Sequence, residues 1–251
     1  LGKGTALGHL MECAGQVCGG YFADGVKKQV SNLGNLGFPI AEINNDGLFH
    51  ITKLKDSGGM VTTATCKEQL LYEVHDPSAY LTPDVVADFS NITLKEIEKD
   101  KVEVYGASGK ALTGKLKVSV GYHDGYMADA QISYGGSYAL ERAQLAIEIV
   151  KERLRAKNLE VEDILFDLIG INSLFKEYTS DIYPQELRLR IAAKTKTKET
   201  AVKLVNEVET LYTNGPAAGG GISKLVTEVI AIQSILIDKK KVVPKVEYFK
   251  S

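Results

Sequence analysis

A regular alternation of strand and helix patterns in the second half of the chain constrains the fold more than any other feature. "MADAQISYG" alternates apolar and polar residues as a strand does, and "SYALERAQLAIEIVKERLRAK" has the apolar spacing of an amphipathic helix. The order strand-helix-strand-strand-helix-strand predicts a split βαβ sandwich, with both helices on one face of the sheet. The remaining four patterns are "VEDILFDLIGI", "QELRLRIAAKT", "KETAVKLVNEVETLYTNG" and "KLVTEVIAIQSILI".

The first half of the chain indicates hairpins instead of this regular order. In "IAEINNDGLFHIT", two alternating apolar runs flank Asn45-Asp46-Gly47, which is typical of a hairpin turn. Thr65 and Glu68 in "TCKE" form the pattern of a capping box, which predicts a helix over about 65–74. We expect further turns at Lys99-Asp100, between two strands, and at His123-Asp124-Gly125, at the tip of a second hairpin.

These patterns give an α+β fold class, an α/β sandwich with a mixed sheet. A chain of 251 residues has room for two modest domains. We expect an N-terminal α/β region with hairpins over residues 1–110. The split βαβ (β-α-β-β-α-β) sandwich then occupies residues 111–251, with "KVEYF" near the end as an added edge strand.

Charge, apolar runs and cysteine content limit where such a protein works. The net charge is −2, so the chain lacks the basic surface typical of a nucleic-acid-binding protein. No apolar run approaches the about 18 residues that a membrane helix needs. Three cysteines form an odd, sparse set that suits a reducing compartment. The sequence therefore predicts a cytoplasmic protein that neither binds nucleic acid nor crosses a membrane.

Near the start of the chain, four side chains with chemical potential recur at helical spacing. Residues 5–18 predict a helix, on which positions i, i+3, i+4 and i+7 share one face. A base, a carboxyl, a thiol and an amide on one face suit acid–base or nucleophilic chemistry. A solvent-exposed polar stripe without any site is the alternative. The four residues are His9, Glu12 and Cys13, as candidate catalytic residues, and Gln16, as a candidate substrate contact.

A metal site is not predicted. Cys13 and Cys18 are separated by four residues, which is not the usual spacing of a structural zinc site. The sequence has no second Cys/His pair of matching form.

The segment "TNGPAAGGGISK", residues 213–224, is unusual for its three consecutive glycines. Glycines let the backbone approach a ligand closely and form concave anion-binding sites from backbone N–H groups. A plain connector between a helix and a strand explains the same composition. Both interpretations stay open, and the candidate anion-binding residues are Gly215, Gly219, Gly220 and Gly221.

Beyond short motifs, whole phrases of the sequence resemble one protein family in order. These phrases are "GHLMECAGQVCGGYFAD", "GFPIAEINNDGLFHITKLKDSGGMVT", "EQLLYEVHDPSAYLTPDVVADF", "LKVSVGYHDGY", "LIGINSL" and "LYTNGPAAGGG". Together they resemble the acyclic terpene utilisation A (AtuA-like) family, from about residue 4 to residue 237.

The resemblance implies a metabolic setting more than a reaction. The family is named from bacterial gene clusters that break down citronellol and geraniol through branched acyl-CoA intermediates. A hydratase or lyase acting on a branched acyl-CoA or a related carboxylic acid fits that setting, with a CoA thioester as a substrate and no firmly implied cofactor. The family phrases also match at Gly19 and Gly20, which we add to the candidate substrate-binding residues.

In one respect the sequence departs from the family pattern. Family members usually carry a long α/β region before the "GH..EC" phrase, whereas this sequence starts almost at that phrase. We therefore expect the N-terminal region to be completed by an upstream segment or by a complementary chain. The expected partners are a small acyl substrate and either this N-terminal chain or further copies in a homo-oligomer. A non-catalytic subunit that completes and stabilises a multi-chain complex is the alternative function.

Overall fold

The computed structural model describes residues 1–175 and 184–249. The chain divides into two compact units, one of residues 1–118 with 234–251 and one of residues 119–233. Within the described residues, no helix combines the length and apolar character needed to span a membrane.

The first unit combines helices with short antiparallel strands. The helices are α1 (Gly2–Met11) and α2 (Thr63–Leu71), and the strands are β1 (Ile40–Ile43), β2 (Phe49–Thr52), β3 (Tyr80–Leu81), β4 (Val86–Asp88), β5 (Thr93–Glu98), β6 (Lys101–Tyr105) and β7 (Ser108–Lys110). The larger sheet of this unit has the strand order β1-β2-β6-β5, and the smaller sheet has the order β3-β4-β7.

The predicted hairpin at Asn45-Asp46-Gly47 is confirmed. β1 and β2 pair antiparallel on either side of this turn. The side-chain oxygen of Asn44 fixes the turn, because it accepts hydrogen bonds from the backbone N–H of Asp46 at 3.1 Å and of Leu48 at 2.8 Å. The turn at Lys99-Asp100 is also confirmed: it joins β5 to β6, with Asp100 at φ +59°.

The helix predicted over 65–74 is present as α2, but both of its predicted ends are wrong. Thr62, not Thr65, is the N-cap: its hydroxyl accepts from the backbone N–H of Thr65 at 3.2 Å. The hydroxyl of Thr65 accepts in return from the backbone N–H of Thr62 at 3.0 Å, so the capping box pairs two threonines. The helix stops early because Tyr72 is extended and Glu73 is left-handed, at φ +59°.

The second unit has the predicted strand-helix-strand-strand-helix-strand order, with both helices packed against one face of its sheet. The four strands lie in the order β11-β8-β10-β9. β10 pairs antiparallel with both β8 and β9. The elements are β8 (Lys115–Gly135), α3 (Ala139–Ala156), β9 (Asp163–Ile169), β10 (Glu186–Thr195), α4 (Lys198–Glu209), α5 (Leu211–Asn214) and β11 (Gly219–Asp238). The predicted α+β class, with hairpins first and a split βαβ arrangement second, is confirmed.

Apolar and charged residues alternate along β10, so the sheet has one buried apolar face and one charged face. Leu187, Leu189 and Ile191 are buried beneath the helices, in one core with Ala143 of α3 and Leu204 of α4. The residues between them point to the opposite face and carry charge. These are Arg188 and Arg190.

Two strand predictions are wrong. The hairpin expected at His123-Asp124-Gly125 does not form, because β8 is one strand of 21 residues that runs through this turn sequence. Pairing with β10 and with the 20-residue β11 overrides the local turn preference. Gly125 bends the backbone at φ +87°, where a side chain would lie 2.4 Å from the carbonyl oxygen of Thr195. "KVEYF" is not a strand; Tyr248 and Phe249 are exposed in a segment without regular structure.

Candidate functional site

The helix expected over 5–18 ends earlier, and this changes the geometry of the predicted stripe. α1 ends at Met11, and Glu12 is its C-cap. Ala14 has the left-handed φ of +49°, which turns the chain into a 3₁₀ turn over Ala14–Gln16. The expectation of one continuous helical face is therefore wrong beyond Glu12, and Gln16 does not follow His9 on a helix.

His9 and Glu12 remain in contact at the C-terminal end of α1. The Nδ1 atom of His9 lies 2.5 Å from Oε1 of Glu12. His9 is only 4% exposed, whereas the carboxylate side chain is 49% exposed. Despite the short distance the contact is poorly directed, so neither ring nitrogen of His9 has a hydrogen-bond partner among the described residues. A buried polar side chain in this state calls for an explanation beyond packing.

Two aromatic rings enclose His9. Its ring centroid lies 5.3 Å from that of Tyr80 in β3 and 5.8 Å from that of Phe89, which follows β4. Tyr80 and Phe89 stack on each other at 5.3 Å. Burial raises the pKa of Tyr80, and the negative charges of Glu12 and Glu73 raise it further. Tyr80 is therefore a neutral phenol close to the Glu12 carboxylate at physiological pH.

One buried amide adds further polar atoms to this region, and the half-buried amide of Gln16 lies in the same unit. Gln69 of α2 is fully buried and donates from Nε2 to the backbone carbonyl of His9 at 2.9 Å. Its Oε1 atom and the Oε1 atom of Gln16 have no hydrogen-bond partner within residues 1–175 and 184–249. We call His9, Glu12, Tyr80 and Gln69 the α1 polar cluster, which Gln16 does not join.

Cys13 lies at the edge of this cluster. It is the N-cap of the 3₁₀ turn and is half-buried. It contributes to the environment of Tyr72, whose pKa is raised first by Glu73, then by burial and by Cys13.

Gly19 and Gly20 lie in the same unit and pack tightly. At Gly19, with φ +82°, a side chain would lie 2.9 Å from Cγ of Met60. A side chain at Gly20 would lie 2.9 Å from Cδ2 of Leu36. Both positions leave little room for a side chain, and the backbone N–H of Gly19 donates to the carbonyl of Gln16 at 3.0 Å.

An apolar cavity of about 430 Å³ lies between α2 and β5, a size typical of small-ligand pockets. Phe89 lines this cavity and also packs against His9, so the cavity and the α1 polar cluster share one wall. Lys67 and Thr63 contribute polar groups to the lining. The apolar lining residues are Leu70, Leu71, Pro77, Phe89, Ile92 and Leu94.

The buried cysteines of this unit lack the features of reactive or metal-binding thiols. Burial raises the pKa of Cys18 to about 11 and that of Cys66 to about 12. Throughout the described part of the chain, no group of three or more His, Cys, Asp or Glu side chains is arranged to hold a metal ion.

The glycine-rich segment belongs to the second unit, whereas the α1 polar cluster belongs to the first. Gly215 ends α5 and donates its backbone N–H to the carbonyl of Leu211 at 3.0 Å. Gly221 has φ +64°, and its carbonyl accepts a hydrogen bond from Nη1 of Arg188 at 3.0 Å. Gly219, Gly220 and Gly221 are the first three residues of β11.

Sequence reasoning missed Tyr80, Phe89 and Gln69 as members of the candidate site. Tyr80 and Phe89 lie some 70 to 80 positions after His9, and no motif spacing links them to it. Gln69 lies on α2, where nothing in the sequence distinguishes it from the other polar residues of that helix. Only the packing of α1 against α2 and β4 brings these side chains to His9.

Comparison with known proteins places the chain in a family. The model of the family described as "Acyclic terpene utilisation family protein AtuA" matches residues 1–248. Searches of curated proteins and of solved structures gave no match. The match extends over nearly the whole chain and confirms the resemblance of the quoted phrases. The chain therefore belongs to the acyclic terpene utilisation (AtuA) family.

Proposed function

We propose that this protein is an enzyme or enzyme subunit that carries out a hydration or lyase-type step on a branched acyl-CoA or a related carboxylic acid. The observation that carries the proposal is the contact of buried His9 with the half-exposed Glu12 carboxylate, next to Tyr80 and Phe89. Polar atoms buried without partners stabilise a fold poorly, and they concentrate where a protein binds or reacts. The proposed setting is cytoplasmic breakdown of acyclic terpenes, without nucleic acid or a membrane as partner.

The apolar cavity supports a branched hydrocarbon chain as the bound part of the substrate. Its walls are mainly aliphatic and aromatic. Phe89 lines the cavity and also contacts the ring of His9. The chain of an acyclic terpene acid is itself apolar and branched, so it gains from burial against such walls. Lys67 at the lining offers a positive charge to the carboxylate or to a CoA phosphate.

Glu12, Tyr80 and His9 have separate roles in the proposed reaction. Glu12 takes a proton from water as the water oxygen bonds to the β-carbon of an unsaturated acyl group. It then returns that proton to the α-carbon, so that one water adds across the double bond. Tyr80, kept neutral by its raised pKa, donates a hydrogen bond to the acyl carbonyl oxygen. The buried ring of His9 lies against the carboxylate and limits the positions it can take, and Cys13 is a polar contact at the rim.

Replacing Glu12 tests the proposal directly. Proton transfer by a positioned group contributes about 10²–10⁴ in rate, so Glu12→Gln lowers kcat by at least 100-fold. The assay follows loss of the conjugated enoyl absorbance of branched unsaturated acyl-CoA esters. Equilibrium dialysis with the labelled ester measures binding in parallel.

Glu68→Gln is the matched control, because Glu68 is an exposed carboxylate on α2 outside the cluster. It leaves kcat within about twofold of the unchanged protein, as expected of a surface residue away from any site. A loss of less than threefold in Glu12→Gln, with binding intact, removes Glu12 from the role of base. Failure of the unchanged protein to turn over any branched ester overturns the proposed reaction.

The alternative function, a non-catalytic subunit of a multi-chain complex, has one observation in its favour. β11 is an edge strand of its sheet and carries large apolar side chains in solvent. Leu225 is 59% exposed, Ile230 is 60% exposed and Ile232 is 72% exposed. Exposed apolar edge strands are typical sites of pairing with another chain. Size-exclusion chromatography with mass detection on the natural source distinguishes the two functions, because a lone active monomer contradicts the subunit.

A further inference from the structure

Three cations on β10 lie on the face of the sheet away from the helices, and within residues 1–175 and 184–249 two of them have carboxylate partners and the third, Arg188, has none. Arg190 contacts Asp129 at 2.6 Å and Asp167 at 3.5 Å. Lys194 contacts Asp124 at 2.6 Å and Glu162 at 3.5 Å. Within the described parts of the chain, Arg188 forms no ion pair with any Asp or Glu. Its charge is therefore not neutralised locally.

Four neutral oxygen atoms hold the Arg188 guanidinium instead. Nε donates to Oε1 of Gln131 at 2.7 Å, and Nη1 donates to Oγ of Ser133 and to the carbonyl of Gly221, both at 3.0 Å. Nη2 donates to Oγ of Ser223 at 2.9 Å. A guanidinium has five N–H donors, so one Nη2 hydrogen has no acceptor among the described residues. These contacts fix the cation in one orientation without cancelling its charge.

The two serines supply further donors around the same cation. Each hydroxyl oxygen accepts from Arg188, and each hydroxyl proton is then left to donate elsewhere. Nearby, Gly220 has no atom within 4 Å of the place where a side chain would begin. A small group can therefore approach the start of β11 without meeting a side chain.

From this arrangement we infer an oxyanion subsite formed by Arg188, Ser133 and Ser223 beside Gly220 and Gly221. A positive charge surrounded by free N–H and O–H donors complements a carboxylate or phosphate group and repels a cation. This subsite lies in the second unit and uses no residue of the α1 polar cluster. Its existence does not depend on the reaction proposed for Glu12.

Titration with simple anions tests the subsite without any turnover. Inorganic phosphate and acetate are added separately to the full chain, and backbone amide NMR signals of Gly220, Gly221 and Ser223 are followed. The subsite predicts saturable shifts with at least one anion, and the preferred anion identifies the group as phosphate or carboxylate. No saturable shift at these residues with either anion overturns the inference.

Variants of the β10 cations separate binding from a structural role. Arg188→Gln weakens anion binding by about tenfold or more, because the charge-assisted contacts are lost. Lys194→Gln, which removes a cation already paired with two carboxylates, leaves the affinity within about twofold. Arg188→Lys keeps the charge and retains part of the affinity, which guards against misfolding of the glutamine variant. Unchanged affinity in Arg188→Gln with a lowered melting temperature would show that Arg188 only fastens β11, and would overturn the inference.

Discussion

The two units treat buried and half-buried polar groups in different ways. On the sheet of the second unit, Arg190 and Lys194 each contact two carboxylates, and the core beneath the helices is mostly aliphatic. In the first unit, His9 and Gln69 lie inside the protein with polar atoms that have no described hydrogen-bond partner. Tyr134, whose buried hydroxyl also has no described partner, is the exception in the second unit. With the function proposed above, we expect the core of the second unit to serve stability, with binding there confined to the Arg188 subsite, and the region around α1 to serve binding or chemistry.

The largest expected effect tests the stability of the second unit. Leu189 of β10 is fully buried in the core shared with α3 and α4. Truncating a buried leucine removes apolar contacts and leaves a cavity, so Leu189→Ala lowers the free energy of unfolding by about 2–5 kcal/mol. Chemical denaturation followed by circular dichroism measures the change.

Leu165→Ala provides the control for that measurement. Leu165 lies on the neighbouring strand β9, but 39% of it is exposed. Its truncation costs less than Leu189→Ala by at least 1 kcal/mol, by the same area and cavity argument. Equal losses in the two variants would mean that the described core does not determine the stability of this unit.

Within the second unit, features set by a local pattern were predictable from sequence, whereas a feature set by long-range strand pairing was not. Burial alternates along β10 from Glu186 to Ile191, as in a half-buried strand, so the position and the two faces of this strand followed from sequence. The hairpin at His123-Asp124-Gly125 was wrong because pairing with the distant β11 decides the conformation there. The turn preference of a short segment gives no information about a strand that pairs with it from about 100 residues away.

The candidate site was less predictable than the fold. The i, i+3 spacing predicted that His9 and Glu12 share one face of a helix, and the two side chains are in contact at the end of α1. The end of α1 was missed because Ala14 adopts a left-handed conformation for which alanine has no preference. Tyr80 reaches His9 only through the packing of β3 and β4 against α1. Such contacts join distant positions and leave no periodic trace in the sequence.

A smaller effect concerns the buried thiols of the first unit and depends on pH. The pKa of Cys66 rises to about 12 in the folded chain from an ordinary value of 9.0, because burial disfavours the thiolate. Below pH 9 both states keep the proton and stability does not change. Between pH 9 and 12 the unfolded state releases the proton first, so the free energy of unfolding falls as pH rises.

Comparison with Cys66→Ala isolates this contribution. The unchanged protein loses about 1 kcal/mol more than Cys66→Ala between pH 8 and pH 10, since the linkage of one thiol is removed in the variant. Leu145→Ala on α3 serves as the control, because Leu145 is 54% exposed and has no titratable group, and its pH profile stays parallel to that of the unchanged protein. Parallel profiles for all three proteins would show that the Cys66 thiol is not held neutral by burial.

The smallest expected change in stability bears most directly on the comparison of the two units. His9→Leu replaces a buried ring whose nitrogens have no described hydrogen-bond partner with an apolar side chain of similar volume. Removing a buried polar group of this kind is neutral or stabilising, so the free energy of unfolding stays constant or rises by about 1 kcal/mol. Leu10→Ala, one position along α1 and fully buried, costs about 2–5 kcal/mol under the same conditions. A stable His9→Leu protein without turnover assigns His9 to function, whereas a loss above about 2 kcal/mol makes it a structural residue and removes the contrast between the units.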